Sequence, residues 1–175
     1  MIWVGAAVLV VVIIFSFSVF RGSPYLPSHK LDVRQSFIDL YHLDKKDVLV
    51  DIGSGDGVIL REATRLGARA VGYEINPILF LISWFLSRND KKANVFFADF
   101  WISNLPHDVT IVYVFSASRD IKKIVKRLQN EADRLGRLIS VISYGARFNG
   151  MKEVNSIGPH HLYAFHPLQS DKAQV

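Results

Sequence analysis

Val48-Leu49-Val50-Asp51-Ile52-Gly53-Ser54-Gly55-Asp56-Gly57 carries an apolar run into an acidic residue and then into three glycines at alternate positions. An apolar run without polar alternation predicts a strand buried on both faces, as in the middle of a parallel sheet. Glycine tolerates positive φ and has no Cβ. The segment from Gly53 to Gly57 is therefore read as a sharp turn whose backbone a ligand can approach closely. Val58 to Leu66 follows as a helix, with Gly67 placed for a left-handed C-terminal cap.

Working outward, Ala70 to Tyr73 reads as a second strand, and Asn76-Pro77 supplies an N-cap and a first-turn proline for a helix through Arg88. Asn94 to Ala98, Thr110 to Phe115 and Leu138 to Ser143 read as strands three to five, with a helix from Ser118 to Leu135 between the last two. Lys152 to Ile157 and Leu162 to His166 form a closing strand pair around Gly158-Pro159. Upstream, Leu31 to Leu43 is apolar at Val33, Phe37, Leu40 and Tyr41, the spacing of an amphipathic helix. This alternation predicts an α/β domain: a Rossmann-like, doubly wound, mainly parallel sheet with right-handed crossovers.

In such sheets ligands sit at the carboxyl ends of strands, where the strand order reverses. Asp51, Glu74 and Asp99 end strands one, two and three, so all three fall on that rim. Glu74 lies 23 positions after Asp51, the place of a carboxylate that accepts hydrogen bonds from ribose hydroxyls. Asp99 is placed to accept from an adenine amino group, and Phe100 to line its ring. A single carboxylate at a strand end caps a turn as readily as it binds a ligand. The set of three around a glycine turn is what points to a nucleoside. The spacing is G-x-G-x-G rather than the G-x-G-x-x-G of pyrophosphate-binding folds, and Asp51 and Asp56 would repel a pyrophosphate. S-adenosylmethionine has no phosphate and carries a cationic amine and a sulfonium, which acidic residues suit. The candidate cofactor residues are Asp51, Gly53, Ser54, Gly55, Gly57, Glu74, Ile75, Asp99 and Phe100.

The chain has 175 residues, enough for one such domain. It contains no cysteine, which excludes a disulfide framework, a thiolate nucleophile and a cysteine-ligated zinc site. Its six histidines include no helical i, i+4 pair, so no metal site is expected. The net charge of +5 suits an anionic partner or an ordinary basic domain and ranks nothing alone. Lys122, Lys123, Lys126 and Arg127 form a basic stripe that can touch lipid headgroups, although a solvated helix face is the preferred reading.

From Ile2 to Phe20 no residue is charged. At about 1.5 Å rise per residue such a run crosses a hydrocarbon core of about 30 Å. Trp3 and Tyr25 lie near its ends, where amphipathic rings favour the interface. No basic segment precedes the run, as a signal peptide would require, whereas Arg21, Lys30 and Arg34 follow it. The expected layout is a transmembrane anchor at 1–21, a proline-containing linker at 22–29, the folded domain at 30–168 and a tail at 169–175. The positive-inside rule places the domain on the cytoplasmic side of a single-pass membrane protein.

Asp51 to Gly57, Gly72-Tyr73-Glu74-Ile75-Asn76-Pro77 and Asp99-Phe100-Trp101 resemble segments of class I S-adenosylmethionine-dependent methyltransferases. Together with the apolar start and Pro24-Tyr25-Leu26-Pro27-Ser28, they resemble more narrowly the membrane-associated protein lysine methyltransferases. That group includes mitochondrial enzymes methylating the C-subunit of ATP synthase and the adenine nucleotide translocase, and related prokaryotic proteins. The resemblance runs from about Ile2 to His166. It implies that Asp51, Gly53, Gly55, Glu74 and Asp99 bind cofactor and that Tyr25, Pro27 and Trp101 shape the acceptor entrance. It implies a lysine acceptor in a membrane or membrane-proximal protein, and a mitochondrial location in a eukaryote. Phe115-Ser116-Ala117-Ser118 lacks the Asn-Pro-Pro-Tyr pattern of adenine and glutamine methyltransferases, so no nucleic-acid partner is expected. Two other readings stay open: a methyltransferase for a lipid or apolar small molecule, and a membrane-tethered binding protein without catalysis. No side chain is assigned a catalytic proton transfer.

Overall fold

A computed structural model describes residues 3, 5, 30–115 and 120–168. Apart from Trp3 and Gly5, the expected anchor lies outside the described residues. So do Tyr25 and Pro27, the 116–119 segment and the tail. Among the described residues no helix is long and apolar enough to cross a membrane.

The sheet has seven strands: β1 (Val48–Ile52), β2 (Arg69–Glu74), β3 (Ala93–Phe97), β4 (Ile111–Phe115), β5 (Ile139–Tyr144), β6 (Asn155–Ile157) and β7 (His160–Phe165). They lie in the order β3-β2-β1-β4-β5-β7-β6. β1 to β5 run parallel, while β7 is antiparallel to both β5 and β6. The order reverses between β1 and β4, so the turn leaving β1 stands at the switch point. The described helices are α1 (Lys30–Gln35), which widens into a π-helical turn at Ser36–Tyr41, α2 (Val58–Arg65), α3 (Pro77–Ser87) and α4 (Ile121–Leu135). The expected strand–helix alternation is thus present, with most boundaries within a few residues.

Two apolar layers hold the sheet. On one face Val33, Phe37, Leu60 and Ala63 of α1, its π-helical turn and α2 close over Leu49 and Ala70. On the other, Ile121, Ile124, Leu128 and Ala132 of α4 close over Val50 and Val112. Leu66 is the C-cap of α2, and Gly67 follows with φ +100°, the conformation read from its sequence position. At the start of α3, the Asn76 Oδ1 accepts from the amides of Ile78 (2.9 Å) and Leu79 (3.3 Å). α3 nonetheless turns the wrong way for an ordinary amphipathic helix. Ser83 and Ser87 are its buried side chains, and Leu81, Trp84 and Phe85 face outward.

Gly72 pairs with Asp51 across β1 and β2. A Cβ there would lie 2.7 Å from the Ser54 Oγ and 2.8 Å from Leu60 Cδ1. Gly72→Ala should cost about 1–3 kcal/mol, the usual penalty for overpacking, measured by urea denaturation. A substitution without loss of stability would mean that Ser54 moves freely.

Candidate cofactor site

The start of the glycine turn is held by the backbone of β2. The amides of Gly53 and Ser54 both donate to the Tyr73 carbonyl, at 2.9 and 3.0 Å. Gly57 N–H donates back to the Ser54 carbonyl at 2.8 Å. Gly53, Gly55 and Gly57 have φ of +75°, +54° and +80°, a run that residues with a Cβ adopt only under strain. Here the alternation of glycines has a direct conformational cause.

Glu74 closes the turn. One carboxylate oxygen accepts from the Gly55 amide and the other from the Asn76 amide, both at 2.7 Å. It is buried, so these are charge-assisted bonds in a dry setting. Beyond its expected role toward a ribose, Glu74 ties the glycine turn to the start of α3. Glu74→Ala should therefore loosen the turn and weaken nucleoside binding by about tenfold or more, the worth of one charge-assisted bond, measured by calorimetry. Unchanged affinity would remove the carboxylate from the site.

The two acids of the motif differ. Asp56 caps its own helix, its Oδ1 accepting from Val58 N–H at 3.2 Å, and it faces the Arg61 guanidinium at 3.5 Å. Asp51 is buried, and its Oδ2 has no hydrogen-bond partner among the described residues. Burial, followed by the negative charges of Glu74 and Asp56, raises its pKa well above the usual carboxylate range. A buried carboxylate left this way calls for a cationic or hydrogen-bond-donating ligand. S-adenosylmethionine, with its cationic amine and sulfonium, fits that demand, and a pyrophosphate does not. The Ser54 Oγ beside it is also buried without a partner.

Along the rim, Asp99 is half-buried, and its Oδ1 accepts from the Trp101 amide at 2.9 Å, capping the turn that follows β3. One carboxylate oxygen is thus committed to the backbone. Phe100 is buried in the core on the α4 face, behind the rim. Trp101 is half-buried, packed against Phe100 with ring centroids 5.5 Å apart, and the Lys123 Nζ sits 3.8 Å above its ring. Ile75 is half-buried between Glu74 and the α3 cap. The structure thus brings Asp51, Gly53, Ser54, Gly55, Gly57, Glu74 and Ile75 together. Asp99 and Trp101 follow β3 on the same rim, while Phe100 between them turns into the core instead of lining the rim.

Sequence reasoning missed what holds that last segment. Arg127 and Glu131 of α4 reach under it. Glu131 accepts from the Leu105 amide at 2.9 Å and pairs with Arg127 and Arg134, each at 2.6 Å. Arg127 also donates to the Ser103 carbonyl at 2.6 Å and lies 5.7 Å over the Phe100 ring. Arg127 is therefore an internal tie and not a cation for headgroups, while Lys122, Lys123 and Lys126 are exposed. Only the i, i+4 spacing of Arg127 and Glu131 hinted at the pair.

No family model matches the chain. In sequence it is 30% identical over 120 residues to the ATP synthase C-subunit lysine N-methyltransferase of Xenopus laevis, covering 67% of this chain and 52% of that protein. It is 34% identical over 123 residues to the Mus musculus protein of the same name, covering 67% and 47%. The chain thus spans about half the length of these relatives. In structure it is similar to an RNA methyltransferase from Salinibacter ruber in complex with S-adenosyl-L-homocysteine. That match has a TM-score of 0.71 at 23% identity and covers 85% of this chain and 98% of that one. It is also similar to a mitomycin 7-O-methyltransferase, with a TM-score of 0.60 at 13% identity over 79% and 54% of the two chains. The structural likenesses are of fold. This chain has the Rossmann-like methyltransferase fold and is a homologue of the ATP synthase C-subunit lysine N-methyltransferases.

Proposed function

We propose that the chain is an S-adenosylmethionine-dependent methyltransferase acting on a lysine amine of a membrane or membrane-proximal protein. The observation that carries this reading is the buried Asp51 carboxylate, whose Oδ2 has no hydrogen-bond partner among the described residues, at the foot of the glycine turn. The likeness to lysine methyltransferases supports the choice of acceptor.

When bound, S-adenosylmethionine would supply a methyl group on a sulfonium as the electrophile for a neutral acceptor amine. The protein's share is alignment of the two reactants. Asp51 would meet the cationic charge, Glu74 holds the turn and would accept from ribose hydroxyls, and the Asp99 oxygen not bonded to Trp101 would accept from the base. Trp101 borders the acceptor entrance in this reading, and the part expected of Tyr25 and Pro27 falls on residues outside the described ones. Aromatic walls there favour a neutral amine by desolvation and hold the methylated cation by cation–π attraction.

The apolar run Ile2 to Phe20 is proposed as a single-pass anchor, with the domain on the cytoplasmic side, or in mitochondria in a eukaryote. Purified full-length chain incubated with methyl-labelled cofactor and membrane extract should label protein lysines. Label found only in lipid would replace this reading with a lipid methyltransferase. Cofactor binding without any transfer would leave a tethered binding protein.

A further inference from the structure

The outward face of α3 has no counterpart in the site just described. Leu81, Trp84 and Phe85 are 57%, 51% and 57% exposed, and Ile82 and Leu86 lie beside them. The inner face explains the inversion. A Cβ on Gly57 would collide with the Ser83 Oγ, so α3 packs too closely on the glycine turn for a large side chain. Small residues therefore point inward, and the large apolar ones point away. Each leaves about half of its surface in water, and an apolar patch of this kind marks an interaction surface.

The charge around the patch selects its occupant. Just past the end of α3, Arg88 lies 3.7 Å over the Phe85 ring, and Lys91 is exposed. Lys92 is committed to the Gly67 carbonyl at 3.0 Å, and Asp90, the acid of this turn, accepts the Lys92 amide. Aromatic and aliphatic side chains bordered by exposed cations match the boundary between acyl chains and acidic headgroups. The chain's own apolar run, laid on α3, would cover the face but turn its far side to water. A second copy would bring the same apolar face and the same basic end, with no acidic surface for Arg88 and Lys91.

The geometry points to an anionic lipid bilayer as the occupant: the outward face of α3 seats the domain against the membrane, with Arg88 and Lys91 among the headgroups. At the rim end of the face, Phe80 packs on Phe97 of β3 with centroids 5.7 Å apart, two residues before Asp99. Seating α3 thus brings the candidate site beside the lipid surface, so an acceptor amine embedded near the headgroups lies within its reach. The inference rests on the membrane part of the proposed function and is independent of methyl transfer.

The absence of cysteine allows a direct test. Full-length Leu81→Cys and, as control on the exposed side of α4, Lys126→Cys are each labelled with an environment-sensitive dye. Both are mixed with vesicles of phosphatidylcholine and phosphatidylglycerol containing brominated acyl chains. The expected result is a blue shift and strong quenching at position 81 and neither at 126. A chain that floats with the vesicles while position 81 stays in water keeps the anchor and overturns the seat. A chain that does not float overturns both. Shielding of position 81 without vesicles that grows with protein concentration would assign the face to a second copy. Concentration-independent shielding would assign it to the apolar run. Equal quenching in purely phosphatidylcholine vesicles would overturn the role of Arg88 and Lys91.

Discussion

Asp51→Asn is expected to stabilise the free chain and to destroy its affinity for S-adenosylmethionine, two effects of opposite sign from one atom. This carboxylate is buried with no partner for Oδ2 among the described residues, so its ionisation opposes folding. With the folded-state pKa raised above the unfolded value, stability is lost as pH rises from the unfolded pKa toward the folded one, and the deficit persists above it. A neutral isostere removes the deficit, worth about 1 kcal/mol at neutral pH and visible in urea denaturation. The same change takes away the charge that meets the cationic ligand, at about 2 kcal/mol or more, a factor of at least ~30 in Kd. Because the ligand requires the ionised form, wild-type affinity should fall as pH drops through the raised pKa, and the variant should lack that slope. A variant less stable than wild type, with unchanged affinity, would mean that Asp51 is a structural group satisfied in some other way.

Glu131→Ala should be the most damaging change outside the rim. It leaves the partly buried Arg127 and Arg134 without their shared, fully buried anion and the Leu105 amide without an acceptor. Breaking such a pair by removing one partner costs about 3–5 kcal/mol, measured by chemical denaturation. Burial pushes the Glu131 carboxyl up, but hydrogen bonds from Arg134 and Leu105 and the charges of Arg127 and Arg134 outweigh it. Its pKa lies below the ordinary value. The stabilisation is therefore full above the unfolded pKa and disappears as pH falls through the folded one. The wild type should lose this increment on acidification, and the variant should have none to lose. Since the pair also props the segment after Asp99, cofactor affinity should drop in the folded variant. Arg127→Lys, which keeps charge without the fork that reaches Ser103, should show a smaller loss of both.

What the sequence made legible follows from the range of the forces involved. β1 and the turn after it were readable because an apolar run and three glycines act locally, and the α3 cap because Asn76 bonds to amides two and three residues on. The π-helical turn at Ser36–Tyr41 was hidden, since its apolar spacing matches an ordinary helix. The orientation of α3 was hidden for a different reason. With large apolar residues almost all round, periodicity names no inner face, and only the contact between Gly57 and Ser83 decides it. The site divides in the same way. Asp51 and Glu74 were found by their places at strand ends. Nothing near Arg127 in the chain reveals that it reaches back 24 residues to Ser103.

The Glu74 carboxylate grips Gly55 and Asn76 through hydrogen bonds internal to the chain. A turn already locked in shape has little conformational entropy left to lose on association, so more of the contact energy appears as affinity. The calorimetric signature expected is a small entropic penalty and an on-rate independent of any loop-closing step. Cofactor exchange would then resemble a key entering a rigid slot, leaving motion in the catalytic cycle to the acceptor side.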